Sequence, residues 1–162
     1  MRTYEIGLET RAEMPTAVMM ATLAVAEIPG WLHTTYMAIA EALARQHGEI
    51  SGPPFARYRQ LAADRFHVEA GFPVNKPIGR MGEVVPSTLP GGELAVTVHF
   101  GPYDQLTAAY QEVVNWVEER GHQVSGPPWE VYYTDPEEQP DTNTWRTEVI
   151  QPLTPRTSVG SG

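Results

Sequence analysis

Two stretches of the chain place apolar residues at the spacing of a helix. In each stretch they recur at positions i, i+4, i+7, i+8 and i+11, which form one stripe along an amphipathic helix. A glycine, Gly48 or Gly121, follows each stretch and suits the left-handed position after a helix. The pattern therefore predicts helices over about 31–47 and 103–120. The stripes consist of Leu32, Tyr36, Ile39, Ala40 and Leu43, and of Leu106, Tyr110, Val113, Val114 and Val117.

The chain also repeats itself. Residues 50–58, ISGPPFARY, resemble residues 124–132, VSGPPWEVY, in the SGPP turn, the aliphatic residue before it and the aromatic residues after it. Chance explains this poorly, because the similarity extends in both directions. The further matches pair LAVAEIPG (23–30) with LAVTVHFG (94–101), and FHVEAGFP (66–73) with WRTEVIQP (145–152).

Each copy is predicted to contain, in order, a strand, a helix, a turn and two strands. Short strands are expected over about 55–59 and 129–134, and an extra strand leads each copy over about 4–13 and 82–89. One helix covers a four-stranded sheet poorly, so we expect the two copies to share one sheet. The predicted fold class is α+β: two tandem strand-helix-strand-strand modules form one antiparallel sheet, with both helices on one face and a ligand groove between them.

Composition narrows the class of protein. A length of 162 residues, 41% of them hydrophobic, fits a single domain over 1–156 with pseudo-repeats at about 1–76 and 77–156, followed by a flexible tail at 157–162. The formal net charge of −9 argues against direct nucleic-acid binding. The absence of cysteine excludes disulfides and thiol chemistry, and no stretch is apolar enough to span a membrane. We expect a cytoplasmic protein whose oligomeric state the sequence leaves open.

Five segments together resemble a known family: GPPFARY, VEAGFPV, LPGGELAVTVHFGPYDQL, GPPWEVY with TDP just after it, and WRTEVIQP. They are similar to the GyrI-like small-molecule-binding domain, which is also the effector-binding half of many AraC-type and multidrug-sensing MerR-type regulators. The resemblance covers about residues 4–153. It implies two tandem modules with a ligand groove and, because no helix-turn-helix precedes the pattern, a stand-alone member of the family.

Differences between the two copies indicate where a single site would lie. Ala56 corresponds to Glu130, and Phe66 corresponds to Trp145. The resemblance implies that a buried Glu on the strand after the turn contacts the ligand and that an aromatic residue fifteen positions later lines the pocket, which Glu130 and Trp145 match. Strand alternation places Tyr132 on the same face as Glu130. In an apolar groove this carboxylate would attract a cation or act as a general acid or base; the alternative is an exposed Glu paired with Arg.

Two further carboxylates occupy equivalent positions in the copies. Glu148 is the second catalytic candidate and Glu69 the third, because a Glu facing inward from a short strand is costly without a function. A structural role is equally open, with Arg146 or Arg65 as the partner. Trp145 and Glu148 are out of phase along the strand, so both would line one groove only if a bulge intervened.

Aromatic residues of the helices are candidates for the walls of the groove. Tyr36, Tyr110, Trp31 and Tyr103 would hold a flat hydrophobic ligand, unless they only pack the core. His99 precedes the second helix and would face the groove or hold the turn. The five histidines lack the spacing of a metal site, so we expect neither a metal nor a cofactor.

The resemblance implies small-molecule binding and leaves three activities open. The first is hydrolysis of strained rings, such as cyclopropanes on lipophilic genotoxins, by a Glu with aromatic residues holding the skeleton. The second is non-catalytic binding, sequestration or sensing of lipophilic cations, which the acidic charge favours. The third is inhibition of DNA gyrase. The expected partner in the first two cases is a lipophilic aromatic small molecule that is electrophilic or cationic.

Overall fold

We describe residues 4–135 and 138–155 of a computed structural model of the chain. Short 3-10 turns, Val25–Glu27 and Tyr103–Gln105, lead into the two helices, and a third covers Thr142–Thr144. The α+β class with antiparallel strands is confirmed, while the expected tail at 157–162 lies outside the described residues. The elements are β1 (Gly7–Arg11), β2 (Met14–Leu23), α1 (Ile28–Arg45), β3 (Phe55–Ala62), β4 (Arg65–Pro73), β5 (Val85–Leu89), β6 (Gly92–Phe100), α2 (Leu106–Glu119), β7 (Trp129–Tyr132) and β8 (Arg146–Pro152).

The chain divides into two compact units. The N-terminal unit comprises residues 13–90, and its strands lie in the order β3-β4-β2-β5. The C-terminal unit comprises residues 1–12 and 91–162, and its described strands lie in the order β7-β8-β6-β1. All pairings within each unit are antiparallel. Within each unit the strand-helix-strand-strand module predicted from the repeat is confirmed.

The extra strands do not pair within their own copies. β1 runs directly before β2 along the chain but pairs with β6, and β5 runs directly before β6 but pairs with β2. The connections explain why no hairpin forms. Ala12–Glu13 contains no residue suited to the positive φ of a two-residue hairpin turn, and Pro90 at the start of the second connection cannot adopt a positive φ.

Each helix packs most of its predicted stripe on the sheet of its own unit, but the prediction is wrong for Val114, which is 48% exposed. Ile39 and Leu43 of α1 lie in a core cluster with Ala17 of β2, and in the C-terminal unit Val113 of α2 packs with Val149 of β8. Burial of one such side chain stabilises the fold by about 1.5–3 kcal/mol. Neither helix in the described part of the chain is long and apolar enough to cross a membrane.

The match of residues 23–30 with 94–101 is wrong. Thr16 of β2 lies opposite Pro73 just as Leu94 of β6 lies opposite Pro152, so Thr16–Thr22 is the true counterpart of the strand Leu94–Phe100. Leu23 is the last residue of β2, and the chain then enters α1, where Pro29 occupies a favoured first-turn position. The shared LAV letters are a coincidence between a strand end and a strand interior.

The turns that precede β3 and β7 place the two copies in the same register. Ser51 N–H donates to the carbonyl of Pro73 at 2.9 Å, and Ser125 N–H donates to Pro152 at 3.1 Å. Ala56 then lies opposite Ala70 of β4, and Glu130 lies opposite Val149 of β8. The correspondence of Ala56 with Glu130 is therefore confirmed by strand pairing.

Candidate functional site

Glu130 is a buried carboxylate on β7 of the C-terminal unit. It is 8% exposed, and its partner across the ladder, Val149, packs against α2, so Glu130 lies on the helix side of the sheet. Tyr132 Oη–H donates to Oε1 at 2.7 Å, and Tyr110 of α2 donates to Oε2. The alternation predicted for Glu130 and Tyr132 is confirmed. Both carboxylate oxygens are thus held by tyrosine hydroxyls.

Among the described residues, no cation balances this carboxylate. Within residues 4–135 and 138–155 Glu130 forms no ion pair, so the alternative of an exposed, Arg-paired side chain is wrong for this part of the chain. Burial raises the pKa of Glu130, and the hydrogen bonds from Tyr110 and Tyr132 only partly oppose that rise. The group is therefore poised to exchange a proton or to attract a positive charge.

Two aromatic rings extend the site towards solvent. The ring centroid of Tyr103 lies 5.6 Å from that of Tyr132 and 4.9 Å from that of Trp145, and Tyr103 is 37% exposed. Burial, followed by the nearby charge of Glu130, raises the pKa of the Tyr103 phenol. The Glu130 cluster consists of Glu130, Tyr103, Tyr110, Tyr132 and Trp145.

Backbone geometry after β6 places Tyr103 in this cluster. Gly101 has a φ of 131°, a conformation that favours glycine, and its N–H donates to the carbonyl of Trp145 at 2.9 Å. Two residues later Tyr103 begins the 3-10 turn before α2. Trp145 is held in turn by its indole N–H, which donates to the carbonyl of Gln139 at 2.7 Å. The motif HFGPY therefore builds one side of the site.

A buried hydroxyl lies beside the cluster. Thr147 of β8 stands between Tyr132 and His99 in the strand register, and its Oγ1 has no hydrogen-bond partner in the described structure. Sequence reasoning missed this residue, because a single threonine in a strand gives no signal of its own. An unsatisfied buried hydroxyl is uncommon in proteins and marks a position where a ligand group can bond.

His99 holds the turn before α2. Its Nε2 contacts the carbonyl of Pro102 at 3.1 Å, and its Nδ1 contacts the hydroxyl of Tyr4 at 2.9 Å. The ring is completely buried. These contacts support the structural alternative for His99, and its role in ligand binding stays a prediction.

Glu148 lies on the opposite side of the sheet from Glu130, since it precedes Val149 along β8. Arg11 donates to its two oxygens at 3.3 and 3.0 Å, and Tyr133 donates to Oε1 at 3.2 Å. The hydrogen bond to Glu148 raises the pKa of Arg11. The prediction that Arg146 pairs with Glu148 is wrong, because the guanidinium of Arg146 lies 4.5 Å from the ring centre of Tyr133.

Glu69 is ion-paired in a similar way in the N-terminal unit. Arg57, its neighbour across β3 and β4, donates to Oε2 at 2.7 Å, and Ser87 donates to the same oxygen at 3.2 Å. The expected partner Arg65 is wrong. Arg57 and Glu69 lie directly opposite each other in the ladder, so Glu69 pairs with its neighbour across the strands and not with Arg65, its neighbour along the chain.

Of the ten residues predicted for the site, the structure brings five together in the Glu130 cluster. Glu148 and His99 lie elsewhere in the C-terminal unit, while Tyr36, Trp31 and Glu69 belong to the N-terminal unit. Tyr36 donates to the carbonyl of Phe55 at 2.7 Å and packs edge-on against Phe72, and Trp31 is half-buried. In the described part of the chain, no group of three or more His, Asp or Glu could hold a metal ion.

Comparison with known proteins identifies the family. The model of the GyrI-like small molecule binding domain matches residues 4–154, and no curated protein matches the sequence. The fold is similar to the crystal structure of the EcmrR C-terminal domain, with a TM-score of 0.84 and 20% identity over 95% of this chain and 99% of that chain.

Two other solved structures share the fold at lower identity. SAV2435 bound to tetraphenylphosphonium has a TM-score of 0.67 and 16% identity, over 93% of this chain and 94% of that chain. A hydrolase from Listeria innocua has a TM-score of 0.64 and 12% identity, over 93% and 92%. These likenesses concern the fold alone, but the family model spans nearly the whole sequence. The chain therefore belongs to the GyrI-like small-molecule-binding domain family.

Proposed function

We propose that the Glu130 cluster binds a flat, lipophilic small molecule and hydrolyses a strained ring on it. One observation carries the proposal: a buried carboxylate that has no counter-charge in the described part of the chain lies beside aromatic rings that reach solvent. Because protein interiors rarely retain an uncompensated carboxylate, this arrangement is expected to serve a ligand. Membership of the chain in a small-molecule-binding family supports that role.

The aromatic residues of the cluster would hold the ligand. Tyr103, Tyr132 and Trp145 present rings at mutual angles of 59° and 36°, which offers both face and edge contacts to a flat molecule. Such contacts bury apolar surface without demanding one exact ligand shape. The ligand would then lie next to Glu130 and to the free hydroxyl of Thr147.

Glu130 would act as the general base in ring opening. The oxygen of a water molecule bonds to a carbon of the strained ring as the carbon–carbon bond breaks, and the electron pair moves to an electron-withdrawing group conjugated with the ring. The proton lost by the water passes to Glu130, whose raised pKa makes it a stronger base than an ordinary glutamate. Glu130 then returns the proton to the anionic product, which regenerates the carboxylate. Strain in the ring supplies much of the driving force, so water activated by Glu130 is a sufficient nucleophile.

Binding of a lipophilic cation without turnover is the second candidate. The absence of an ion-pair partner for Glu130 in the described structure favours it, because an organic cation would complete the charge balance. SAV2435, which has the same fold, is described as bound to tetraphenylphosphonium. Inhibition of DNA gyrase stays a prediction that no contact in the structure favours.

Two measurements distinguish the candidates. Mass spectrometry of an electrophilic cyclopropane-bearing aromatic compound reports turnover, and calorimetric titration with tetraphenylphosphonium reports binding. For a hydrolase, Glu130→Gln lowers kcat by about 100-fold or more, the range of general acid–base catalysis. Glu148→Gln tests the second carboxylate, and Tyr133→Phe, which removes a hydroxyl on the other face, is the matched control with unchanged turnover.

The outcomes separate clearly. Product formation that depends on Glu130 establishes the hydrolase. Tight cation binding that weakens in Glu130→Gln, with no product from the wild type, establishes the binder. Turnover lost only in Glu148→Gln would move the catalytic role to that carboxylate, and unchanged turnover and binding in Glu130→Gln would overturn both proposals.

A further inference from the structure

A separate cavity lies at the C-terminal end of α2. Its volume is about 440 Å³, which is within the roughly 300–1,000 Å³ of small-molecule sites. None of its lining residues belongs to the Glu130 cluster, and all of them belong to the C-terminal unit. The cavity is lined by Leu8, Glu93, Trp116, Glu119, Arg120 and His122.

Two polar atoms of this cavity are buried and unsatisfied. Glu93 Oε1 and His122 Nδ1 have no hydrogen-bond partner among the residues that the structure describes. Buried polar atoms are nearly always bonded in native proteins, and leaving one unbonded costs stability. Two such atoms in the wall of one cavity indicate a place where a ligand supplies the missing partners.

The aromatic wall fixes the position of the histidine. The rings of Trp116 and His122 stack with centroids 5.5 Å apart and planes only 8° from parallel. The guanidinium of Arg120 lies 5.0 Å from the centre of the Trp116 ring. The imidazole is therefore held flat against the indole, and the wall already accommodates a planar cation against the same indole.

The chemistry of the wall selects the ligand. Glu93 Oε1 can only accept hydrogen bonds while ionised, and a neutral imidazole offers Nδ1 as an acceptor when its proton is on Nε2. Glu93 and Glu119 outweigh Arg120 in charge, while Leu8 and Trp116 supply apolar surface. A ligand with several N–H donors, a positive charge and a flat body matches all of these features.

We propose that this cavity is a second ligand site, for an amidinium or guanidinium group carried on a small planar molecule. One N–H of the cation donates to Glu93 Oε1 and another donates to His122 Nδ1. The flat body of the ligand lies against Leu8 and the exposed edge of Trp116. The site functions independently of Glu130, because the two sets of residues do not overlap.

Titration of the whole chain with benzamidine tests the site. Binding is followed by calorimetry and by the indole N–H signal of Trp116 in two-dimensional NMR, and a saturable shift of that signal is expected. Benzamide, a neutral molecule of the same shape, is expected to bind at least about tenfold more weakly, in line with the loss of a charge-assisted bond. Equal binding of the two probes would overturn the requirement for a cation.

Four variants locate the interaction. Glu93→Gln is expected to weaken benzamidine binding about tenfold, whereas Glu118→Gln removes the same charge from an exposed side chain outside the cavity and changes it less than about twofold. His122→Phe keeps a ring against Trp116 but lacks Nδ1, so an approximately fivefold loss of benzamidine affinity is expected. This variant tests the site independently if Glu93→Gln fails to fold. Glu130→Gln is expected to leave the benzamidine-induced shift of the Trp116 signal unchanged, because Glu130 does not line this cavity.

Several results would overturn the proposal. These are the absence of a saturable Trp116 shift, equal weakening by Glu93→Gln and Glu118→Gln, or unchanged binding in His122→Phe. Displacement of benzamidine from Trp116 by tetraphenylphosphonium would also contradict it, because the two ligands would then share one site.

Discussion

Ala56 and Glu130 occupy equivalent positions in two copies of one module. The two positions differ in the group that accepts a hydrogen bond from the tyrosine of the helix. In the N-terminal unit Tyr36 donates to the carbonyl of Phe55, while in the C-terminal unit Tyr110 donates to the carboxylate of Glu130. Both positions are buried. The same scaffold therefore supports either an apolar position, where the tyrosine hydroxyl bonds the backbone, or a charged position, where it bonds the carboxylate. A single side chain decides between the two.

A carboxylate placed at Ala56, the counterpart of Glu130, should destabilise the N-terminal unit. Ala56 is completely buried, and the hydroxyl of Tyr36 is already bonded to the backbone, so Ala56→Glu would add an uncompensated charge and excess volume. We expect the free energy of unfolding to fall by about 3–5 kcal/mol. Urea denaturation measures it, with Ala56→Val as the control for volume. Wild-type stability in Ala56→Glu would show that the two copies are interchangeable at this position.

Breaking the ion pair on the other face should also destabilise the fold. Glu148 is 6% exposed and bonds Arg11 and Tyr133, so Glu148→Ala leaves Arg11 without its main partner. A loss of about 2–4 kcal/mol is expected, below the 3–5 kcal/mol of fully buried pairs because Arg11 is partly exposed. Glu130→Gln, which removes the charge at Glu130, should not lower the free energy of unfolding. Equal losses of stability in Glu148→Ala and Glu130→Gln would contradict the distinction between these two carboxylates.

The raised pKa of Glu130 predicts how stability depends on pH. The folded protein keeps a proton on Glu130 that the unfolded chain releases near the ordinary pKa of Glu, about 4.3. Stability is therefore lost as pH rises from that value through the folded pKa. Glu130→Gln cannot ionise, so at pH 8 it should be more stable than the wild type, with the difference vanishing near pH 4.

Urea denaturation across this pH range measures the difference, and Glu138→Gln, which changes an exposed carboxylate, should follow the wild type. A Glu130→Gln variant that is less stable than the wild type at pH 8 would contradict an uncompensated carboxylate at this position.

The smallest expected effect concerns the two neighbouring tyrosines of the strand end. Tyr132 bonds Glu130 and Tyr133 bonds Glu148. Tyr132→Phe removes a donor that lowers the pKa of Glu130, so that pKa should rise further, at a cost of about 1 kcal/mol in stability. Tyr133→Phe should leave the pKa of Glu130 unchanged. The pH dependence of ligand binding measures both, and the same shift in the two variants would contradict the assignment of faces.

Local patterns predicted much of this architecture. The helix stripes, the SGPP turns and the alternation of Glu130 with Tyr132 depend on spacings within one element, which the sequence displays directly. The counterpart of Glu130 followed from the repeat, because strand register preserves equivalent positions. Five members of the site could therefore be named from sequence and resemblance together.

Long-range contacts could not be predicted in the same way. The pairing of β1 with β6, and of Arg11 with Glu148, joins residues that are far apart along the chain and carry no shared local signal. The false match of the LAV segments shows the same limit, since short apolar runs fit either a strand interior or a strand end. The free hydroxyl of Thr147 emerges only when three strands are aligned.

The central claim is that Glu130 is an uncompensated carboxylate that contacts the ligand, and carbon-13 NMR of labelled glutamate side chains tests it most directly. Comparison with Glu130→Gln assigns its resonance. This resonance is expected to titrate above the range of ordinary glutamates, and saturating tetraphenylphosphonium is expected to lower its pKa, because a nearby cation favours the charged form. A resonance that titrates near the ordinary value of about 4.3 and does not respond to the cation would contradict it.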